Sequence, residues 1–107
     1  MALINANDQN YQQLLQENEN VLIKFYADWC GNCKLIAPKI RRMGEEEQFS
    51  KLAILDVNAE ENPALRKLAG VDNLPYFAVF KKGELVGGSA ASKIEFVHEL
   101  VNSKLLS

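Results

Sequence analysis

The sequence predicts an α/β domain with a central mixed sheet of four to five strands and about four helices on its two faces. Three observations carry this. First, an apolar, β-favouring run, Val21–Ala27, leads directly into a stripe of Cys33, Ile36, Ala37, Ile40 and Met43 at helical spacing. Second, another apolar run, Leu52–Val57, precedes Asn62-Pro63, a pair that caps and opens a helix. Third, Leu74–Phe80 and Glu84–Gly87 flank the turn Lys81-Lys82-Gly83 and are followed by a last helical stripe. Alternating strands and helices early, then a hairpin late, give a mixed sheet that must be covered on both faces.

In chain order, Leu3-Ile4 is expected as a short edge strand. Asp8 is placed to cap a first helix whose buried face is Tyr11, Leu14 and Leu15. The second helix contains Pro38, which removes a hydrogen bond to the Lys34 carbonyl and should bend the helix over the sheet. Gly70 ends the third helix. Ser92-Lys93-Ile94-Glu95 has the spacing of a capping box, and Ile94, Val97, Leu100, Val101 and Leu105 then line one helical face. Glu45-Glu46-Glu47 and His98 read as solvated helix surface.

The length of 107 residues fits one domain, residues 1–107, with a modest core. A net charge of -2 carries no nucleic-acid footprint. No window is long and apolar enough to span a membrane. The first residues lack the basic region and apolar run of a signal peptide, so a reducing cytoplasm is the expected compartment. There a lone cysteine pair is more often catalytic or metal-binding than structural. A zinc site usually takes four protein ligands, and beyond the cysteines only His98 remains as a soft ligand. Redox chemistry is therefore favoured over zinc.

Both cysteines lie in Trp29-Cys30-Gly31-Asn32-Cys33-Lys34, where a buried strand ends and a helix begins. The first N–H groups of a helix have no partner within it, and the helix dipole favours negative charge there. A thiolate at Cys30 would be stabilised, and the thiolate is the reactive form.

The stretch Phe25-Tyr26-Ala27-Asp28-Trp29-Cys30-Gly31-Asn32-Cys33-Lys34, continued by Ile36-Ala37-Pro38, resembles the active-site segment of the thioredoxin family. Asn62-Pro63 and Leu74-Pro75-Tyr76-Phe77 fall where that family has its helix-opening proline and its cis-proline loop. The resemblance covers nearly the whole chain and implies the thioredoxin fold. It also implies that, in the reduced form, Cys30 is the exposed nucleophile and Cys33 the buried resolving thiol. Trp29 would form an aromatic wall, and Gly31, Asn32, Leu74, Pro75 and Tyr76 would complete the substrate-docking surface. The peptide edge at Pro75 would pair with a substrate strand. The implied partners are disulfide-containing proteins and an NADPH-dependent, flavin-containing thioredoxin reductase. The chain would act as a monomer and hold no cofactor of its own.

Four departures from the family pattern bear on function. Asn32 stands where the commonest thioredoxins have proline, and so restores a donor near the Cys30 sulfur. Such a donor favours the thiolate and makes a weaker reductant. Tyr76 stands where threonine is usual, which would reshape the docking groove. The connection from Glu84 to Ser92 is shorter than usual, with Gly87-Gly88-Ser89-Ala90-Ala91 in place of the family's loop. Finally, Lys24 and Asp56 interrupt apolar strands with opposite charges. In thioredoxins these positions usually hold a buried aspartate that assists the resolving cysteine and its lysine partner, so the pair is exchanged here. Either charge alone is costly to bury, and pairing offsets that cost.

The leading expectation is a protein-disulfide reductase using Cys30 and Cys33, with Asp56 and Lys24 assisting. A thiol oxidase or isomerase uses the same chemistry in reverse, and Asn32 favours it mildly. A binding subunit that docks partners without turnover is the reading from another class, and the intact cysteine pair argues against it as a sole role. Nothing matches the active-site tyrosine motif of glutaredoxins.

Overall fold

The computed structural model describes residues 3–106. The elements are β1 (Ile4–Asn5), α1 (Tyr11–Glu17), β2 (Asn20–Tyr26), α2 (Gly31–Gly44), β3 (Leu52–Asn58), α3 (Pro63–Ala69), β4 (Tyr76–Lys81), β5 (Glu84–Ala90) and α4 (Ile94–Lys104). A 3-10 turn, Glu47–Phe49, precedes β3. The five strands form one sheet in the order β1-β3-β2-β4-β5. β3 runs parallel to both β1 and β2, whereas β4 is antiparallel to β2 and β5. This is the mixed sheet with helices on both faces that the sequence predicts.

Strand alternation assigns the two layers. Val21, Ile23 and Phe25 join Leu55, Val57, Leu15 of α1 and Leu65 of α3 in one core cluster. Leu22, Ile54, Phe77 and Val79 join Ile36, Ile40 and Met43 of α2 and Val97 and Val101 of α4 in the other. Lys24 and Asp56 follow Leu22 and Ile54 by two residues. They therefore share the face that α2 covers.

Local signals read from sequence set several boundaries. Pro63 opens α3, and Gly70 closes it in the left-handed region at φ 72°. Lys82 and Gly83 both have positive φ, 52° and 82°, as the tight hairpin turn between β4 and β5 requires. α2 runs through Pro38 as one element.

Other expectations are corrected. The edge strand is Ile4–Asn5 rather than Leu3-Ile4. Asp8 does not cap α1. Its carboxylate instead accepts from the N–H groups of Ala64 (3.1 Å) and Leu65 (2.9 Å), the orphan donors at the start of α3. Asn62, expected to cap α3 with its side chain, uses that side chain elsewhere. Its Oδ1 accepts from the Asp8 N–H, and its Nδ2 donates to the Asn58 carbonyl. Ser92 forms no capping box, because the residue before α4 is Lys93 and no side chain caps that helix. β5 runs beyond the expected Gly87 to Ala90, so Gly88, Ser89 and Ala90 belong to the strand rather than to a loop. Their small side chains still permit strand pairing with β4. His98 is only 33% exposed: its ring packs on Phe49 at 5.3 Å, and its Nε2 lies 3.8 Å from Glu46 Oε2. It links α4 to the segment after α2 instead of standing in solvent.

The Asp8 contact gives a direct test. Asp8→Ala is expected to cost about 1 kcal/mol, as for loss of a helix cap. Asp8→Asn should cost less, because its oxygen can still accept one N–H. Urea unfolding midpoints of the two variants would measure the difference.

Candidate active site

Cys30 is the residue before the first turn of α2, in extended backbone at φ -84° and ψ 105°. Its Sγ accepts from the Cys33 N–H at 3.1 Å. The two cysteines form a disulfide with their Cα atoms 5.3 Å apart. No acidic residue lies in the first turn of this 14-residue helix, so nothing there opposes a thiolate. Cys30 is 4% exposed and Cys33 3%. In the disulfide form Cys30 is thus covered about as well as its partner. The donor to the sulfur is corrected: it is the Cys33 N–H, whereas Asn32 is exposed and makes no hydrogen bond to Sγ. An Asn32→Pro change leaves that donor in place.

Trp29 is 68% exposed, which places it on the surface and not in the core. Its indole N–H donates to Glu60 Oε2 at 2.8 Å. The Glu60 N–H in turn donates to Asn58 Oδ1, and Asn58 is bound through its carbonyl to Asn62. Hydrogen bonds therefore run from Asp8 through Asn62 and Asn58 to the residue that holds Trp29. Glu60 carried no sequence signal, since it lies 31 residues from Trp29 in a polar loop.

On the other side of the cysteines, the Leu74–Pro75 bond is cis. Leu74 and Tyr26 pack against the cluster of Ala27, Cys30 and Cys33. The Pro75 carbonyl accepts from the Ala91 N–H at 3.1 Å, tying the loop to the end of β5. Leu74 thus packs beside the disulfide, while Gly31 and Asn32 are the two residues between its cysteines and Pro75 follows Leu74 in the chain. Tyr76 turns away toward the α1/α3 face, where its ring meets Phe25 edge-on with centroids 6.4 Å apart. It also lies over Gly88: a Cβ there would come within 2.8 Å of the Tyr76 hydroxyl oxygen. A side chain at position 88 would therefore require the Tyr76 ring to shift. Burial, and then Asp72, push its hydroxyl above the usual tyrosine range.

Lys24 and Asp56 are register partners on the parallel strands β2 and β3. Lys24 Nζ lies 3.2 Å from Asp56 Oδ1, with Lys24 4% and Asp56 20% exposed. The contact is an ion pair outside hydrogen-bond geometry, so the buried Asp56 Oδ1 keeps an unused acceptor site among the described residues. Lys24 Nζ also sits 5.6 Å from the Tyr26 ring centroid. A cavity of about 430 Å³ brings these groups to the resolving cysteine: Lys24, Tyr26, Asp28, Cys33, Arg41 and Asp56 all line it. Burial, then Asp56, Asp28 and Glu61, push the Tyr26 hydroxyl upward, which keeps it neutral. Tyr26 escaped the sequence reading, although its two-residue spacing from Lys24 puts both on one strand face.

Comparison with known proteins agrees with this geometry. The family model for thioredoxin matches residues 2–101. Thioredoxin of Bacillus subtilis is 38% identical over 106 residues, covering 98% of this chain and all of that protein. Thioredoxin of Alicyclobacillus acidocaldarius is 31% identical over 98 residues, covering 88% of this chain and 92% of the relative. Among solved structures, Chlamydomonas reinhardtii thioredoxin f2 superposes with a TM-score of 0.87 at 23% identity, over 99% of both chains. Oxidised mitochondrial thioredoxin 3 of Saccharomyces cerevisiae gives 0.85 at 22% identity, over 94% of both, and these two likenesses concern the fold. Sequence relatives and the disulfide at the start of α2 thus lead to one conclusion: the chain belongs to the thioredoxin family, the thiol-disulfide oxidoreductases.

Proposed function

We propose that this protein reduces disulfides of other proteins, with Cys30 as the nucleophile and Cys33 as the resolving thiol. The observation that carries the assignment is the Cys33 N–H donating to Cys30 Sγ at the N-terminal end of α2. That donor and the helix terminus both favour negative charge on Cys30. The Cys30 thiolate attacks a partner disulfide, forming a mixed disulfide and releasing one partner sulfur. Cys33 then attacks Cys30, closing the Cys30–Cys33 bond and releasing the second partner sulfur. Two electrons pass from the dithiol to the partner.

In this reading Trp29 and the Leu74–Pro75 loop frame the docking surface, with Gly31 and Asn32 at the helix start and Tyr76 directly after the loop. Lys24 and Asp56 serve the proton traffic of Cys33, and Asp56, with its unused acceptor oxygen, takes the proton. An NADPH-dependent thioredoxin reductase returns the pair to the dithiol. We place the protein as a single-domain monomer in the cytoplasm; no helix among the described residues is long and apolar enough to cross a membrane.

Insulin provides the test. With dithiothreitol as electron source, the protein should accelerate precipitation of the insulin B chain well above the rate with dithiothreitol alone. A rate equal to that background would reject the reading.

A further inference from the structure

We propose that the groove between β5 and α4 is a second subsite for the disulfide-bearing partner. It takes an extended segment of that partner carrying an aromatic side chain and, beside it, a lysine or arginine. The proposal rests on the reading of the protein as a protein-disulfide reductase. The groove has a volume of about 390 Å³, and Phe77, Ser89, Ala91, Phe96, Glu99 and Leu100 are among the residues that line it. Its origin lies in the sequence of β5. Gly87 and Ser89 stand in register with Val79 and Phe77, which belong to the α2/α4 core, so they share the face that α4 covers. Residues this small leave space beneath the helix. At Gly87 the stem of Lys104 occupies that space: a Cβ there would lie 3.2 Å from the Lys104 Cγ. At Ser89 the space remains as the groove.

Three observations define the occupant. The first is the sheet edge. β5 is the last strand of the sheet, and among the described residues no strand pairs with its outer side. Edge strands are commonly guarded by charge or proline, but Gly87, Gly88, Ser89 and Ala90 carry neither. An extended segment can therefore add to this edge through its backbone. The second is the apolar wall. Phe96 is 58% exposed, and with Leu100 it forms the α4 side of the groove. An aromatic ring from the partner would cover both. The third is charge. Among the described residues, Glu99 is the one charged residue lining the groove, and Glu95, one turn earlier on α4, is exposed as well. Two like charges four positions apart on a helix disfavour each other, and a partner cation relieves this. Lys104 covers Gly87 at the far end, so the cation belongs at Glu99.

The groove is also continuous with the cysteine site. Ala91, at one end of it, donates its N–H to the Pro75 carbonyl, and Leu74 packs on the cysteine cluster. Across the sheet Ser89 pairs with Phe77, and Phe77 pairs with Lys24, which lines the cavity beside Cys33. Two strand spacings, about 10 Å, separate Ser89 from Lys24. At about 3.3 Å per residue, a partner whose cysteine meets Cys30 reaches the groove with a residue about two to four positions away. The groove residues set which disulfides react fast and take no part in the exchange of sulfurs.

The test measures second-order rate constants of the reduced protein with symmetrical peptide disulfides. The peptides carry Phe or Ala, and Lys or Glu, at about two to four residues from the cysteine. Hydroxyethyl disulfide serves as the small reference. The Phe/Lys peptide should react about tenfold faster than its Ala/Lys counterpart, through partial burial of the ring. Lysine in place of glutamate should add about threefold at low salt and less at high salt. Ser89→Leu, which fills the groove, should remove the preference for Phe and leave that for Lys. Glu99→Gln should do the reverse. Neither should change the rate with hydroxyethyl disulfide. Equal rates of the wild type with all the peptides overturn the proposal, as does an undiminished Phe preference in Ser89→Leu. Should Ser89→Leu not fold, Phe96→Ala carries the decision, since it removes the groove wall: loss of the Phe preference supports the subsite and its survival overturns it. A wild type that reduces neither the peptides nor hydroxyethyl disulfide rejects the proposed function instead. The groove is then decided by nuclear magnetic resonance of the oxidised protein with the Phe/Lys peptide carrying serine for cysteine. Shifted amides at Ser89 and Leu100 support the subsite, and unmoved ones overturn it.

Discussion

Replacing Cys33 with serine is expected to leave a protein that captures partner proteins as stable mixed disulfides, whereas Cys30→Ser is expected to bring disulfide reduction down to background. The two variants separate the roles because exposure does not: both cysteines are nearly covered in the disulfide. What distinguishes them is position. Cys30 precedes the helix and receives an N–H on its sulfur, whereas Cys33 is inside the first turn and faces the cavity with Lys24 and Asp56. A nucleophile needs its charge stabilised before attack, which Cys30 has. A resolver needs a route for its proton once the mixed disulfide has formed, and in the proposed reading Asp56, which lines the same cavity as Cys33, provides it. Non-reducing electrophoresis after mixing each variant with a disulfide-bearing protein gives the answer. Covalent adducts with Cys30→Ser and none with Cys33→Ser would reverse the assignment.

How far the sequence reveals this molecule depends on how far apart the interacting residues are. The strand-to-helix junction at Cys30, the proline that opens α3, the glycine that ends it and the Lys82-Gly83 turn are local, and each was readable from its neighbours. The ion pair was readable for a different reason. Two opposite charges in apolar strands have few places to go, and parallel neighbours bring them level. What stayed hidden was long-range and polar. Asp8 reads as the cap of the nearest helix, yet it caps one more than fifty positions away. A capping residue advertises a helix start without saying which one. Glu60 looks like any loop acid until the fold carries it to Trp29. The small residues of β5 read as a loop because glycine weakens strand propensity, but pairing with β4 overrides that preference. The Asn32 donor was misplaced because sequence shows which residues carry an N–H near a sulfur, not which one points at it.

The Lys24–Asp56 pair carries the largest expected effect on stability. Lys24→Leu or Asp56→Leu alone should each cost about 3 kcal/mol, the lower end of the ~3–5 kcal/mol typical when one side of a buried pair is removed. The lower end applies because Asp56 keeps 20% of its side chain exposed, and water screens what remains. Lys24→Leu/Asp56→Leu should cost much less than the sum of the two, because no unpaired charge is left. Leucine also suits the site, since Leu22 and Ile54 occupy the same strand face two residues earlier. Chemical unfolding of all four proteins gives the coupling directly, and additivity within about 0.5 kcal/mol would mean the two residues do not interact. Catalysis should respond differently from stability. The apolar pair is expected to be folded yet slow in resolving a mixed disulfide, because neither the proton acceptor nor the cation remains beside Cys33. Its resolution rate should rise with pH toward the wild-type value, as hydroxide replaces the missing base. A doubly substituted protein that is stable and resolves mixed disulfides with the wild-type pH profile would show that the pair exists for folding alone.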